Sequence, residues 1–579
     1  MSLPESPEIT ILYSSSSPLR NAEHAAYELE TLLINNKYTV STLSLSSFPP
    51  EDLPNINYCI FIVSTAGYGT FPLQSANFFD FIFQSNLPSI LTDLNFTVFG
   101  LGDSSYEKFN YCAKALRKRL LQLGGNEIFK IGLGDEQHDF CYEGEFIPWR
   151  EALIYELNTN HFAFHSFKEL PYQYKYKLTY VNKIQKDNIE TNKGVIKEIK
   201  KLTKDDSIRK VVQITISNIS KQISYKPFDI IEVFPTNTNY NDIEYLFKYF
   251  NIENDINKTI LLVDNKTSNH ITTCTVKDLF IKYLNLNGIV KRSFCKVCSQ
   301  YTDDSLHKTK LLLYSSNEGR GEFYSYAIEE KRTYIEFLKD FSSVKLPLEI
   351  FISEVGLIQP RQFSISSNYI ENDSHLEITL GIIDYKTPFQ RRKIGLFSEM
   401  ALNTTNTKCL LRDICFNVIN GRINLNSNKN YMFIATGTGI APIRNALRYL
   451  NNVYAKGEYL LLYGTRNKEK DYLYGDEFDN KHIFYNNINL KILNAFSRDT
   501  NSKYYVQNLI LDNVDMIYEF IMNNNCEYIF VVGNAKFLPL GITLAMCDIL
   551  KTKQKLNNEE QAKELFKLKI QPKLVIESW

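Results

Sequence analysis

The segment Tyr431-Met432-Phe433-Ile434-Ala435-Thr436-Gly437-Thr438-Gly439-Ile440-Ala441-Pro442 constrains this chain more than any other. A run of apolar residues ending at glycines reads as a buried strand that stops abruptly. Glycine lets the backbone approach a phosphate closely, and Pro442 suits the first turn of a helix. A strand, a tight turn and a helix in that order belong to an α/β sheet, which binds ligands at the carboxyl ends of its strands. This second α/β pattern starts near residue 429 and runs to 579.

The first 150 residues show the same alternation. Ile9–Tyr13, Tyr58–Ser64 and Phe96–Leu101 read as buried parallel strands, with helical periodicity over Asn21–Asn35 and Tyr111–Gly124. The loops after those strands, Ser14–Asn21, Thr65–Pro72 and Gly102–Asn110, are rich in Ser, Gly, Thr or Asn. The first offers four serine hydroxyls and a helix start, which together suit a phosphate. The third carries Tyr106, a ring able to stack on a planar ligand while the loop backbone bonds its polar edge.

Between the two α/β regions the pattern changes. Residues 158–175 read as a linker, and residues 176–235 as short alternating strands of a β-barrel. A helical stretch follows, with Asp242–Phe250, Val276–Leu286 and Tyr324–Phe341 as helices in an insertion over about 236–345. Strands are expected again at Leu348–Glu354, Arg361–Ser367 and His375–Ile383. The predicted domains are therefore 1–157, 176–428 and 429–579, the first and last doubly wound α/β, the middle one a barrel.

Composition narrows the class. With 44% apolar and 22% charged residues among 579, the chain is globular rather than disordered. No apolar run reaches the roughly 18–20 residues that span a bilayer, and Met1–Thr10 lacks the features of a signal peptide. The ten cysteines are scattered without zinc-like spacing, as expected of reduced thiols in a cytoplasmic protein, and no metal site is expected. Residues 1–150 hold 17 acidic and 9 basic side chains, 9 − 17 = −8, so the rest of this neutral chain carries +8. That asymmetry suits electrostatic docking between modules or with a basic partner, and nothing points to nucleic acid.

Several motifs resemble those of the diflavin reductases. Ser64-Thr65-Ala66-Gly67-Tyr68-Gly69, Gly102-Asp103-Ser104-Ser105-Tyr106 and Gly132-Leu133-Gly134-Asp135-Glu136 are similar to the flavin loops of the family's flavodoxin-like domain. Pro360-Arg361-Gln362-Phe363-Ser364 and Gly395-Leu396-Phe397-Ser398 resemble its FAD-binding barrel. Tyr431–Pro442, Tyr463-Gly464-Thr465-Arg466, Gly533-Asn534-Ala535-Lys536 and Ala495–Gln507 resemble its NADP-binding domain.

The resemblance implies that electrons move from NADPH through FAD to FMN and on to a protein partner. It implies FMN contacts from Ser15, Ser16, Ser17, Asn21, Ala22, Ser64, Thr65, Ala66, Gly67, Leu101, Gly102, Asp103, Ser104, Ser105, Tyr106, Asn110, Asp135 and Glu136. FAD contacts fall to Arg332, Arg361, Gln362, Phe363, Ser364, Gly395, Leu396, Phe397, Ser398 and Trp579. NADP contacts fall to Gly437, Thr438, Gly439, Ser497, Arg498, Lys503, Tyr505 and Gln507, the basic ones suiting a 2′-phosphate. Ser364, Glu577 and Trp579 take the hydride-transfer roles, Trp579 as the ring that covers the flavin. The chain departs from the family pattern in four places. Ser14 replaces a glycine and Pro18-Leu19-Arg20 lengthen the first loop; Phe397 and Val532 stand where cysteine is frequent, and Gly541 where aspartate is. With no membrane anchor or haem domain, the chain looks most like the reductase of cytosolic iron–sulfur assembly, whose partner is anamorsin. A sulfite-reductase flavoprotein, a soluble haem-monooxygenase reductase and a scaffold with a degenerate FMN site are the rival readings.

Overall fold

The computed structural model describes residues 8–15, 20–161, 175–182, 191–218, 224–265, 270–371, 375–406, 412–421, 423–523 and 526–578. The chain divides into two compact units, 1–173 with 291–325, and 174–290 with 326–579. Most of the expected linker, 158–175, lies outside the described residues.

The first unit is built on a parallel sheet of β1 (Glu8–Ser14), β2 (Thr39–Ser44), β3 (Tyr58–Ser64), β4 (Asn95–Gly102), β5 (Asn126–Glu127) and β6 (Gly132–Asp135). Their order is β2-β1-β3-β4-β5, with β6 also paired to β4. Alternation along each strand feeds two cores. Ile9, Ile11, Ile60 and Ile62 pack with α1 (Asn21–Asn35) and α4 (Glu143–Glu156), where Phe99, Phe146 and Trp149 interlock. Leu12, Phe61 and Val63 pack on the other face with α2 (Ala76–Ile82) and α3 (Tyr111–Gln122). Both faces are covered, which is why these strands read as unbroken apolar runs.

Residues 291–325 belong to this unit, although their sequence places them within the expected insertion. Arg292 forms an ion pair with Glu143 at 2.9 Å, and the Arg320 guanidinium lies 3.8 Å from the centre of the Phe140 ring. His24 Nε2 is 3.2 Å from Ser293 Oγ. These contacts are between residues far apart in sequence, so helical periodicity alone gives no hint of them.

In the second unit, β7 (Tyr176–Tyr180), β11 (Thr259–Asp264) and β12 (His270–Thr275) form a small antiparallel sheet. The larger antiparallel sheet contains β8 (Asn192–Lys201), β9 (Val211–Asn218), β10 (Ile230–Phe234), β13 (Arg361–Ser364), β14 (His375–Gly381) and β17 (Arg412–Ile419). Its order is β13-β10-β17-β8-β9-β14. The sheet curls until its ends meet at one bridge, Ile365 against Ile378, with Ser366 N–H donating to Glu377 O at 2.8 Å. The expected barrel is thus joined at a point rather than along a full ladder. A hairpin, β15 (Asp384–Lys386) and β16 (Arg392–Ile394), precedes Gly395.

The expected strand Leu348–Glu354 is instead a helix, Leu348–Val355. Its Ile and Phe content favours a strand by propensity. The flanking residues decide otherwise: Pro347 stands at the start and Gly356 ends the helix with φ 70°.

The remaining sheet is parallel, with order β20 (Asn489–Phe496), β19 (Glu458–Thr465), β18 (Asn430–Thr436), β21 (Cys526–Gly533) and β22 (Leu574–Ser578). Buried Arg444, on the helix Ile440–Asn452, ties this region to the antiparallel sheet. It donates to Ser366 O at 2.9 Å and Glu377 at 2.7 Å, and pairs with Glu477 at 2.7 Å.

Candidate functional site

In each parallel sheet the strand order reverses once, and a crevice opens where the chain leaves in opposite directions. In the first unit that point lies between β1 and β3. Ser15 Oγ is buried there with no hydrogen-bond partner among the described residues. α1 begins at Asn21 behind Arg20, whose φ is 53°, and no side chain caps it among the described residues. The dipole of this helix favours an anion at its start. Ala22 is buried in the first turn, while Ser16 and Ser17 lie outside the described residues.

The other two loops are pre-shaped. Ala66 and Thr70 exchange backbone hydrogen bonds of 2.9 and 2.8 Å around Gly67 and Gly69, whose φ values are 45° and 78°. Thr65 N–H, just past buried Ser64, donates to Leu101 O at 2.9 Å, so the ends of β3 and β4 hold each other. After Gly102, Asp103 Oδ1 accepts the Ser105 N–H at 2.8 Å, and Asp135 Oδ1 accepts those of Ser104 and Gln137 at 2.8 and 3.0 Å. Burial would raise the Asp135 pKa, but the hydrogen bonds from Ser104 and Gln137 hold it below the usual range. Glu136 N–H donates to Gly102 O at 2.9 Å. Asn110 is fully buried; its Nδ2 donates to Gly134 O at 3.0 Å, while its Oδ1 has no partner among the described residues. Tyr106 is partly exposed on the same loop, and the Tyr68 hydroxyl bonds Glu107. An uncapped helix start, unpartnered buried oxygens and a half-exposed ring match a phosphorylated planar ligand.

In the second unit β13 pairs with β10, setting Arg361 against Val233 and Ser364 against Ile230. Arg361 is partly buried, donates to Gln359 O at 2.7 Å and forms no ion pair among the described residues. Burial pushes its pKa down, which marks a cation short of a counter-charge. A pyrophosphate would supply that charge. Gln362 Nε2 bonds Glu232 at 2.9 Å, and the Phe363 and Phe397 rings lie 5.4 Å apart. Gly395 leads into the helix Leu396–Asn406, whose first turn is pinned by the Ile383 N–H donating to Ser398 Oγ at 3.0 Å. Arg332 has a partner of its own: it pairs with Asp340 and lies over the Tyr326 ring. Its charge is compensated inside the protein, unlike that of Arg361.

The reversal point of the last sheet lies between β18 and β21. β18 passes through a turn, Gly437–Gly439, into the helix Ile440–Asn452, with Thr438 at the centre of the turn. Gly437 has φ 56°, and a Cβ on Gly439 would come within 2.3 Å of Val532 O. Neither position tolerates a side chain easily. Glu577, on β22, pairs in register with Val532 on β21, and burial pushes its pKa up to about 7. Trp579 lies outside the described residues.

The next strand ends bring together a basic corner. Ser497 N–H donates to Thr465 O at 2.9 Å and Arg498 N–H to Arg466 O at 2.7 Å. Arg498, Lys503 and Tyr505 are exposed, and Gln507 lies close to Gly541. The Arg466 pKa is pushed down by burial, then by the charges of Arg209 and Arg498. Arg209, in the loop between β8 and β9, carries no motif and escapes sequence reading. The structure holds its loop here through an Asp206–Lys470 pair at 2.6 Å and Lys204 N–H donating to Lys470 O at 3.0 Å. Guanidinium groups that repel one another form a natural receptor for a dianion.

The chain matches the family models described as flavodoxin over residues 11–149, FAD binding domain over 188–400 and oxidoreductase NAD-binding domain over 433–539. It is similar to proteins named NADPH-dependent diflavin oxidoreductase 1. That of Dictyostelium discoideum is 28% identical, covering 94% of this chain and 90% of the relative. Those of Danio rerio, 27% identical with 96% and 97% covered, and Schizosaccharomyces pombe, 28% identical with 94% of each covered, are comparable.

Proposed function

Starting from the premise that this chain is a diflavin reductase, an NADPH-dependent oxidoreductase using FAD and FMN, we propose that its acceptor is an anamorsin-like iron–sulfur protein in the cytoplasm. Bound FAD supplies acceptance of a two-electron hydride from NADPH, and bound FMN supplies one-electron delivery to a protein partner. The remaining chemistry falls to side chains of this chain.

Gly437, Thr438 and Gly439 admit the nicotinamide dinucleotide's phosphates to the backbone. Ser497, Arg498, Lys503, Tyr505 and Gln507 hold its 2′-phosphate, with Arg209 as a further cation. Arg361 neutralises the FAD pyrophosphate, Ser364 offers a hydroxyl to the flavin edge, and Trp579 covers the ring. Glu577 holds a proton near neutral pH beside the turn that receives NADPH. Ser15 and the start of α1 take the FMN phosphate, and Tyr106 stacks on its ring. The domains are proposed as 1–157, 176–428 and 429–579, joined by the linker 158–175.

The observation that carries the partner assignment is charge. The module ending the electron path holds a net −8 over residues 1–150, computed as 9 − 17, which suits a partner presenting basic groups around its cluster. The test is to reduce the purified protein with NADPH and offer it, separately, an anamorsin-like iron–sulfur protein, a sulfite-reductase haem subunit and a haem monooxygenase. Fast, salt-sensitive reduction of the iron–sulfur protein alone is expected. Preference for either haem acceptor would overturn the assignment, and no reduction of any acceptor would favour a scaffold.

A further inference from the structure

The second unit contains a small cavity of about 10 Å³, the room needed by one water-sized sphere. Asn237, Thr238, Asn239 and Asp242 line it from the segment after β10, and Glu399 from the helix Leu396–Asn406. Leu286, Asn287 and Ile335 complete the wall.

Its polar atoms are unusual. Asn237 is 4% exposed, and its Nδ2 donates to both Phe280 O at 2.7 Å and Leu284 O at 2.8 Å. With both amide hydrogens committed, the orientation of the amide is settled, and Oδ1 is left buried without a donor among the described residues. Thr238 Oγ1 is likewise buried without a partner among the described residues. An unmatched buried acceptor is costly, so the cavity calls for something electropositive.

The charges set its valence. Asp242 is already compensated by Lys339 at 2.6 Å, and it accepts from Asn239 Nδ2 at 2.8 Å. Glu399 forms no ion pair among the described residues, which leaves one surplus negative charge. Divalent ions favour several carboxylates. Among the described residues no cluster of three or more His, Cys, Asp or Glu side chains is placed to hold a metal. We propose that this cavity binds a monovalent alkali cation, held by Asn237 Oδ1, Thr238 Oγ1 and the Glu399 carboxylate.

The site joins segments that are far apart in sequence, and one of them leads to the flavin. Glu399 N–H donates to Gly395 O at 2.8 Å, so Glu399 sits one turn from the loop assigned to the FAD pyrophosphate. The cation would therefore also slow FAD loss, a consequence that rests on the FAD assignment above, whereas binding itself does not.

The test uses the purified holoprotein in chloride salts of N-methyl-D-glucamine, sodium, potassium or calcium at equal ionic strength. Sodium or potassium should raise Tm by roughly 2 °C or more over N-methyl-D-glucamine, saturating with concentration. The same salts should slow FAD release severalfold. Glu399→Gln should keep the N-methyl-D-glucamine Tm but lose the alkali response, and Thr238→Val, which removes a different ligand, should lose it too. Equal Tm in all salts would overturn the proposal in favour of water alone. A response to calcium without one to sodium or potassium would overturn the monovalent assignment. A full alkali response in both variants would overturn the ligand set. An alkali response in Tm with FAD release unchanged would support the site and refute its coupling to the flavin loop.

Discussion

Arg498 and Arg209 illustrate how far single residues can be read. Replacing Arg498 with Ala removes a charge-assisted contact of about 1.5–3 kcal/mol, or roughly ten- to a hundredfold in kcat/KM for NADPH. Arg209→Ala should act in the same direction, and neither change should affect NADH, which lacks the 2′-phosphate. Steady-state kinetics with both cofactors checks this, and an equal loss for NADH would refute the phosphate role. Arg498 was legible because it sits among Ser497, Lys503 and Tyr505 in one short run. Arg209 was not, because the folded chain brings it there from the β8–β9 loop. Glu577 makes a prediction about pH. Its carboxyl is raised from 4.5 to about 7 by burial, so the folded state binds the extra proton between those values. Stability should fall as pH rises through that window and level off above it, since the unfolded chain binds fewer protons there. Glu577→Gln, which stays neutral, should flatten the slope between pH 4.5 and 7 in urea midpoints. An unchanged slope would show that the group is solvated.

At the scale of elements, the strand–turn–helix units were the most legible part of the chain. β3 and α1 have the boundaries expected from sequence, because an apolar run between turn residues and a period near 3.6 are local signals. The helix Leu348–Val355 was misread because three consecutive bulky apolar residues, Ile350, Phe351 and Ile352, fit either element when all are buried. The Arg444 network shows what element packing adds. This buried guanidinium joins the helix Ile440–Asn452 to β14 and to Glu477. Arg444→Ala removes the cation that pairs with Glu377 and leaves Glu477 with Arg448 as its remaining cation, at a cost of about 3–5 kcal/mol. The expected outcome is a marked drop in thermal midpoint and loss of NADPH-dependent FAD reduction. A variant with the parental Tm would mean that the network is dispensable.

For the whole molecule, two flavin sites in separate units predict equal amounts of FMN and FAD released by acid from freshly purified protein. FMN that is absent and not restored by adding it would mean that the lengthened Ser14–Asn21 loop has abolished its site. The sequence by itself determined the order of modules and the residue types in the loops at the strand ends, because those depend on short-range periodicity and turn chemistry. Only the tertiary structure decided that 291–325 packs with the first unit and that Arg209 joins the basic corner. It alone showed that the antiparallel sheet meets itself at Ile365 and Ile378, and that Asn237 and Glu399 line one cavity. Each of these joins residues many positions apart, and such pairings come from burial and charge in the folded chain, which local pattern does not encode.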